Sequence, residues 1–516
     1  MAHVRRLTCL LVVLAAALAS LGLFPLEPAA AAPRPVPVQP RTAFVALTGA
    51  GGATAAGVRR AAASLETAAR TTPRYETLGV TWDPAGAAPV VRVRTRTGGT
   101  WSAWEELHRS EGADGNPGHE GGPAVRGGTD PLWVGPSDGV QVRVTAAAGR
   151  PLPSGLRAEL IDPGRSAYDA LAGESRDGGL RPAVAGRPAI VTRASWGADE
   201  RRVKEPAIVM PTVVAGVLHH TAGKNGYSRA QVPGIIRGDF AYHLSRGWND
   251  IGYNVLVDRF GRVWEGRGGG LDKAILGAHT GGFNTDTFGV SVLGNLDVAR
   301  PSPATVEAIA RVMAWKLDVY HRDPLGSTVL TARGARGTTS RYKDGARVRM
   351  PTILGHRNVG QTACPGRYLY PALPAIRRRA AAIMKAGLLE PRISATERVH
   401  RSGGATVTAL SLADQTWRLT VREACSGRVV ASAGGRSKAR TRFAVGWSGK
   451  DAAGAWVRPG RYVLELTARS RAGTARSYVP SVLVVPPDPP AQQTRAMNRE
   501  ITRDLETEND QDEQQM

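Results

Sequence analysis

Short apolar runs separated by turn residues divide this chain into three parts. In residues 41–162 and 390–486, apolar side chains alternate with polar ones, and the runs are bounded by Gly, Asp and Pro. This pattern is typical of β-strands joined by turns. In residues 188–388, strand patterns mix with helical ones, which predicts an α/β or α+β domain. Because 516 residues exceed what one hydrophobic core usually organises, we expect a central domain between two all-β domains.

The first all-β part is predicted to be a small antiparallel sheet or sandwich. From residue 90 to 97, Val91 and Val93 face one way and Arg92 and Arg94 the other, because successive side chains of a strand point to opposite faces. This part also holds four tryptophans, Trp82, Trp101, Trp104 and Trp133. They either form a carbohydrate-stacking surface or pack in the core, which is the commoner use of aromatic side chains.

Three further segments are predicted to lie outside the folded domains. Residues 1–32 place two arginines before an apolar run and small residues at its end, which indicates a secretory signal peptide; a retained membrane anchor is the alternative. Residues 163–187 are rich in Gly, Arg and Ser and indicate a linker. The acidic, amide-rich tail, residues 487–516, is expected to be disordered. We therefore expect a secreted, extracellular protein.

Charge and cysteine content narrow the possible partners. A net charge of +23 would draw the protein to polyanions such as anionic wall polymers, although arginines spread along the whole chain account for the charge equally well. No basic module interleaved with aromatic residues indicates nucleic acid binding. Cys9 falls in the signal peptide, so Cys364 and Cys425 remain. A disulfide between them is possible, but we expect Cys425 to be a small buried hydrophobic residue.

The central part contains several predicted elements. A strand is expected at Thr212–Leu218, and a hairpin at Tyr253–Val257 and Arg262–Glu265 with a turn between them. Ser302 and the proline after it are expected to start a helix with 3.6-residue apolar periodicity. Residues 329–350 are a polar, Gly- and Arg-rich insertion.

Four residues of the central part are candidates for a zinc site. His219 and His220 follow one strand-like run, and His356 follows another, with Cys364 eight residues further on. Because side chains alternate along a strand, only one of the adjacent histidines can enter a given pocket. Two imidazoles and a thiolate leave the fourth tetrahedral position to water, as in catalytic zinc sites. Histidine pairs and single cysteines are also common in cores, so the spacing alone leaves both interpretations open.

Six segments around these residues occur in the order of a known family. They are Arg193–Gly197, Val217–Thr221, Gly247–Asn254, Gly277–Asn284, Gly289–Gly294 and Gly355–Gly366. Through them, residues 188–380 resemble the peptidoglycan recognition protein and type 2 N-acetylmuramoyl-L-alanine amidase family. The resemblance implies a mixed central sheet with flanking helices and a cleft that holds Zn2+. The insertion at 329–350 departs from the compact family pattern and either gates the cleft or only decorates it.

The resemblance also implies the roles of individual residues. His219, His356 and Cys364 match the metal-ligand positions, which leaves His220 as a scaffold residue. Tyr253 matches the catalytic tyrosine, whose phenol would orient the zinc water or hydrogen-bond the developing oxyanion. Thr362 occupies a catalytic position that is Lys in phage-type members and Thr in many recognition-protein amidases. No carboxylate base can be placed from the sequence.

Five further residues are predicted to bind substrate. His279 and Asn284 match positions that line the cleft and contact the muramyl peptide, the alternative being local loop hydrogen bonds. Trp248 and Asn249 either line the same groove or pack beside a strand. Arg267 either pairs with a peptide carboxylate or is an ordinary surface arginine.

The C-terminal part resembles an immunoglobulin-like β-sandwich of the flagellar-hook-capping FlgD type. The resemblance rests on Trp447–Gly454 together with Pro459–Tyr462. With the central domain, it suggests a wall-associated enzyme that is positioned by its β domains.

The function that the resemblance implies is hydrolysis of the amide between the lactyl group of N-acetylmuramic acid and the first L-alanine of the stem peptide. The rival function is a non-catalytic peptidoglycan-binding protein, since some family members recognise peptidoglycan without cleaving it. Non-catalytic members typically lack the cysteine ligand, so Cys364 favours the enzyme. A third possibility, an anion-tethered structural protein of the wall, rests on the charge and on the flanking domains.

Overall fold

The computed structural model describes residues 34–47, 64–83, 88–110, 125–173, 180–181, 186–335 and 338–486. The predicted signal peptide and the acidic tail lie outside these residues. Within the described part of the chain, no helix is long and apolar enough to span a membrane.

The N-terminal part forms one antiparallel sheet, as its alternating pattern predicts. Its nine strands are β1 Arg41–Ala46, β2 Ser64–Glu66, β3 Arg70–Trp82, β4 Val90–Thr97, β5 Thr100–Trp101, β6 Glu105–Leu107, β7 Gly127–Gly128, β8 Leu132–Thr145 and β9 Arg157–Asp162. The main path is β1-β9-β3-β8-β4-β5, with β2 on β8, β6 on β4 and β7 on β3. Val91 and Val93 are buried in its core, as predicted.

The four tryptophans of this sheet divide into two pairs. Trp82, 3% exposed, belongs to the core of the sheet, as the core interpretation requires, whereas Trp133, 5% exposed, is buried in a cluster with residues of the central domain. Trp101 and Trp104 are half-buried, and the guanidinium carbon of Arg94 lies 5.2 and 5.3 Å from their ring centroids. Arg94 therefore covers the two rings that would have to be free if these tryptophans stacked on carbohydrate.

The central part is built on a mixed seven-stranded sheet. Its strands are β10 Leu180–Arg181, β11 Ile190–Val191, β12 Ala215–His220, β13 Val255–Val257, β14 Val263–Glu265, β15 Thr287–Val292 and β18 Ile353–Gly355, in the order β10-β11-β14-β13-β15-β12-β18. β12 runs parallel to both β15 and β18. β13 and β14 are antiparallel and form the predicted hairpin. The predicted strand at 212–218 begins and ends slightly later, so that both adjacent histidines belong to β12.

Three helices flank this sheet: α1 Val232–Ser245, α2 Pro303–Val319 and α3 Leu373–Met384. α2 is the helix predicted from its start signal. The Ser302 hydroxyl accepts the N–H of Thr305 at 3.0 Å and caps it. Short 3-10 turns complete the domain at Ala194–Trp196, Glu200–Arg202, Arg229–Gln231, His356–Asn358 and Tyr370–Ala372.

The insertion at 329–350 contains regular structure that its polar composition did not predict. It spans most of a two-stranded antiparallel hairpin, β16 Ser327–Thr331 and β17 Arg347–Pro351. Leu330 and Met350 are buried in a cluster with Val217 of β12. The hairpin therefore braces the outer edge of the central domain.

The predicted linker is packed at its start. Tyr168 and Ala172 are buried in the same core cluster as residues of the central domain. Asp169 pairs with the buried Arg237 of α1 at 2.7 Å, and this guanidinium also donates to the carbonyls of Pro163 and Gly164 at 2.9 and 3.0 Å. Residues 163–173 are therefore held on the central domain, because a buried guanidinium needs these acceptors.

The C-terminal part consists of two sheets around one core. Its strands are β19 Leu388–Ile393, β20 Glu397–Val399, β21 Ala405–Ser411, β22 Gln415–Glu423, β23 Val429–Ser437, β24 Arg442–Trp447, β25 Gly460–Arg469 and β26 Ser481–Val485. They form a β19-β21-β24 sheet and a β20-β26-β25-β22-β23 sheet. Our prediction of a buried Cys425 is wrong: this residue follows β22 at a turn and is exposed, and Cys364 and Cys425 are both free.

Candidate metal centre

The ends of two parallel strands bring the predicted ligands together. β12 ends at His219 and His220, and the adjacent β18 ends at Gly355, directly before His356. Parallel neighbours end at the same edge of a sheet, so the histidines meet there. Cys364 returns to this edge after a short loop. The three side chains of His219, His356 and Cys364 are buried, with residue exposures of 1%, 5% and 8%.

Their donor atoms are close enough to share one metal ion. One ligand atom from each of His219, His356 and Cys364 lies within 4.8 Å of the other two. Nδ1 of His219 is 3.6 Å from Sγ of Cys364, and the rings of His219 and His356 are 4.6 Å apart. His220 has a different role, since its Nδ1 accepts the N–H of Leu296 at 3.1 Å.

The electrostatics of the three side chains fit a zinc ion. Burial, with the neighbouring histidines, holds the pKa of His219 well below its ordinary value, so its imidazole is neutral and offers a lone pair. Burial raises the pKa of the Cys364 thiol. A thiolate here therefore needs a positive partner, and a cation that favours nitrogen and sulfur ligands, such as zinc, supplies one.

His279 and Thr280 orient the first candidate ligand, His219. Nε2 of His219 lies 3.0 Å from Nδ1 of His279 and 3.2 Å from Oγ1 of Thr280. This contact directs Nδ1 of His219 toward Cys364, in the way that hydrogen bonds to the second ring nitrogen orient metal-binding histidines. His279 was predicted to contact substrate; it lines the cavity and also contacts His219.

The two predicted catalytic residues line the same cavity as the metal-ligand candidates. The ring of Tyr253 is 5.5 Å from that of His219. Burial raises the pKa of the Tyr253 phenol well above its ordinary value, so the phenol keeps its proton and can act as a hydrogen-bond donor. Oγ1 of Thr362 accepts the backbone N–H of Cys364 at 3.2 Å.

Of the other four predicted substrate residues, one lines the cavity and three lie outside its described lining. Trp248 lines the cavity and stacks on His243 with ring centroids 4.4 Å apart. The described cavity lining does not include Asn249, Asn284 or Arg267. The side-chain amide of Asn249 accepts the backbone N–H of Glu205 and donates to its carbonyl.

Asn284 and Arg267 make contacts that hold loops around the site. Oδ1 of Asn284 accepts the N–H groups of His279 and Thr280 at 2.8 and 2.9 Å. Arg267 donates to the carbonyls of Ile251 and Leu276 at 3.0 and 3.3 Å. Both side chains thus fix the backbone behind the cavity.

Sequence reasoning missed four polar residues that line the described cavity. His243 lies on α1, and Arg109, Ser110 and Asp130 come from the N-terminal domain. For His243, the sequence offered only a histidine within a helical segment, which is a weak indication of a functional site. For the other three no local pattern exists, since their position depends on how two domains pack.

Comparisons with known proteins place two parts of the chain in families. Residues 210–367 match the family described as N-acetylmuramoyl-L-alanine amidase. Residues 28–163 match the family described as Rv3811 N-terminal galactose-binding domain-like. Neither match extends into the C-terminal domain. The central domain is therefore of the amidase type, and the N-terminal sheet is similar to galactose-binding domains.

Curated relatives define the central domain further. Peptidoglycan-recognition protein SC1a/b of Drosophila simulans is 30% identical over 182 residues, 35% of this chain and 82% of the relative. Peptidoglycan-recognition protein SC2 of Drosophila melanogaster is 32% identical over 179 residues, 34% of this chain and 80% of the relative. The chain belongs to the peptidoglycan recognition protein and N-acetylmuramoyl-L-alanine amidase family, as its motifs predicted.

Other similar proteins match over part of their length or in structure. The N-acetylmuramoyl-L-alanine amidase of Homo sapiens is 32% identical over 196 residues, 37% of this chain and 29% of that protein. Among solved structures, wild-type Drosophila PGRP-LB is 25% identical with a TM-score of 0.28, covering 36% of this chain and 92% of that one. Human PGRP-IβC in complex with glycosamyl muramyl pentapeptide is 25% identical with a TM-score of 0.27, covering 36% and 93%.

Proposed function

We propose that this protein is a secreted, zinc-dependent N-acetylmuramoyl-L-alanine amidase. The observation that supports it is the buried set of His219, His356 and Cys364, with donor atoms within 4.8 Å of one another, in a chain of the amidase family. Two imidazoles and one thiolate are a catalytic type of zinc set, since a fourth position is left to water.

The chain's own residues supply the rest of the chemistry. When bound, zinc would polarise the lactyl carbonyl and lower the pKa of a water molecule to about 7. Tyr253 holds its proton and would donate a hydrogen bond to the oxygen that becomes negative in the transition state. The Thr362 hydroxyl would be a second, uncharged donor. His279 and Thr280 keep His219 in the orientation that ligation needs.

Domain roles follow from the same proposal. The central amidase domain spans residues 188–388, between the N-terminal β domain at 41–162 and an immunoglobulin-like sandwich at 390–486. A signal peptide at 1–32 would export the chain to the cell wall, where muramyl peptide is the substrate.

Mass spectrometry of products tests this function directly. The full chain, loaded with zinc, is expected to release free stem peptide from a defined muramyl peptide and to leave the sugar with an intact lactyl acid. Zinc analysis is expected to give about one ion per chain. Binding of the muramyl peptide with no product under any condition would instead identify a recognition protein.

A basic cleft in the C-terminal domain supports a second partner, an anionic wall polymer. The cleft has a volume of about 900 Å³ and is lined by Lys385, Arg436, Lys438, Arg469 and Arg471. The lining includes one carboxylate, Asp414, which pairs with Lys438 at 3.2 Å. Ion pairs of the other four cations are absent among the described residues. Four uncompensated charges in one cleft favour a phosphate-linked polymer.

Charge reversal tests this cleft. Arg469→Glu with Arg471→Glu is expected to weaken binding to a purified phosphodiester wall polymer by at least about tenfold at low salt, since each cation near an anionic surface contributes about 1 kcal/mol. The matched control reverses Arg150 and Arg418, which are exposed and lie outside the cleft. Equal loss in both double variants would show that net charge, not the cleft, binds the polymer.

A further inference from the structure

The N-terminal domain forms part of the wall of the metal centre. Arg109, Ser110 and Asp130 line the same cavity as His219 and Cys364. The segments that carry them pair with each other, since Ser110 donates its N–H to Gly128 and Asp130 donates its N–H to His108. We name the paired residues 108–110 and 128–130 the closing hairpin.

The cavity that remains is too small for a substrate. Its volume open to water is about 20 Å³, little more than one water molecule occupies. Sites for ligands of drug size measure about 300–1,000 Å³, and a muramyl peptide is at least that large. Substrate therefore cannot reach His219 and Cys364 while the closing hairpin is in place.

Contacts with α1 and the segment after it hold the closing hairpin. The Tyr242 hydroxyl donates to the carbonyl of Thr129 at 2.7 Å. Arg246 donates to Oγ of Ser110 at 2.6 Å and accepts the N–H of Arg126 on its carbonyl at 3.1 Å. Buried, polar contacts of this kind fix position, because each group would lose its partner on opening.

Packing between the two domains adds to these hydrogen bonds. Trp133 of β8 packs edge-on against Tyr227, and Lys224 donates to the carbonyl of Val134 at 3.2 Å. Ile161 of β9 shares a buried cluster with Ala241 and Tyr242 of α1. The closed arrangement is thus a continuous interface.

We propose that the N-terminal domain slows this enzyme by occupying its substrate cleft, and that muramyl peptide enters only in those molecules in which the closing hairpin has separated from α1. The identity of the substrate rests on the function proposed above; the closure itself rests on the contacts of Arg109, Ser110 and Asp130. Detachment of the sheet from α1 would move all three side chains away together.

A glycine at the interface between the two domains offers a substitution that weakens the contact of the closing hairpin with α1 without changing a residue of the cavity. Gly79 of β3 lies against Tyr242, and a Cβ at residue 79 would overlap that ring. Gly79→Leu should therefore push the sheet away from α1 without changing the central domain. Gly226→Leu is the matched control, because a Cβ there meets no described atom within 4 Å.

Reaction of Cys364 with a bulky maleimide measures opening in the zinc-free protein, expressed without residues 1–32 so that Cys9 is absent. The exposed Cys425 is first replaced by serine, and all variants carry that change. Cys364 of this parent is expected to react at least about 100-fold more slowly than in urea, since reaction requires an opening event. Gly79→Leu is expected to raise the rate at least about tenfold, and Gly226→Leu to leave it unchanged. Equal rates in parent and Gly79→Leu chains would overturn the proposal.

A second variant keeps the proposal testable if Gly79→Leu unfolds the protein. Arg109→Ala with Asp130→Ala removes the two larger side chains of the wall and leaves the interface glycines in place. It is also expected to speed the maleimide reaction, with circular dichroism unchanged. An unchanged rate in this variant, if Gly79→Leu is unfolded, overturns the closure as well.

Turnover separates this proposal from the function on which it rests. After zinc loading, the opened variants are expected to hydrolyse muramyl peptide at least about tenfold faster than the parent. Faster maleimide reaction with no hydrolysis in any variant would leave the closure standing and reject the amidase activity. Faster hydrolysis by the parent than by both opened variants would reject the closure.

Discussion

Cys364→Ser is expected to remove zinc from the protein and to abolish hydrolysis of muramyl peptide. The thiolate is the one candidate ligand of the set that carries a negative charge, and a serine hydroxyl does not ionise in its place. Partners that merely hydrogen-bond to ligands contribute about 10- to 100-fold to metal affinity, so loss of a ligand itself should cost at least about 100-fold. Zinc content after dialysis and product release, both measured in the opened Gly79→Leu background, check this result.

Cys425→Ser provides the matched control for that substitution. Cys425 is exposed and free, so the same chemical change there should leave zinc content and hydrolysis as they are. A Cys364→Ser protein that keeps stoichiometric zinc and full turnover would show that sulfur is not a ligand, and the zinc mechanism would have to be abandoned.

Tyr253→Phe is expected to lower kcat by about 100- to 1,000-fold while zinc content stays the same. Removing one donor from an oxyanion site typically has an effect of this size. The ring stays in place, since residue 253 is 8% exposed and packs 5.5 Å from His219, so the substitution removes the hydroxyl and little else. Steady-state kinetics on a defined muramyl peptide, with zinc analysis of the same sample, check the prediction.

Tyr227→Phe controls for the loss of a buried phenol. The Tyr227 hydroxyl donates to the carbonyl of Leu293 at 3.1 Å, and this residue is outside the described cavity lining. It should lower stability rather than kcat. Equal kcat for the wild-type and Tyr253→Phe proteins would remove Tyr253 from the catalytic step.

Local patterns predicted a helix start and a hairpin of the central domain, and the family resemblance predicted which residues would form a metal centre. The start of α2 at Ser302 and the β13–β14 hairpin depend on turn and capping residues within a few positions, and both predictions are confirmed. The alternation rule required that one of His219 and His220 face away, and the structure places His219 with the other two candidates. Residues within a few positions determine the helix start and the hairpin, whereas the meeting of His219 with His356 and Cys364 could be expected only from the family resemblance.

Features that depend on packing between distant segments could not be predicted. Residues 329–350 were interpreted as a polar insertion, because one face of the β16–β17 hairpin is exposed to solvent and its polar side chains hid the strand pattern. Cys425 was assigned to a core from residue type alone, whereas the turn after β22 exposes it. Asp130 lines the cavity of the candidate metal centre because one domain packs on another, and no spacing within the chain encodes that position.

The contacts of Arg237 determine at which residue a recombinant fragment of the central domain should begin. Its guanidinium is 1% exposed and donates to Pro163, Gly164 and Asp169 and to the carbonyl of Trp196. A recombinant fragment that began at residue 188 would leave Arg237 with the Trp196 carbonyl alone of these acceptors. It would also expose the apolar side chains that Tyr168 and Ala172 cover. Biochemists who isolate the amidase unit should therefore start the polypeptide ahead of Pro163.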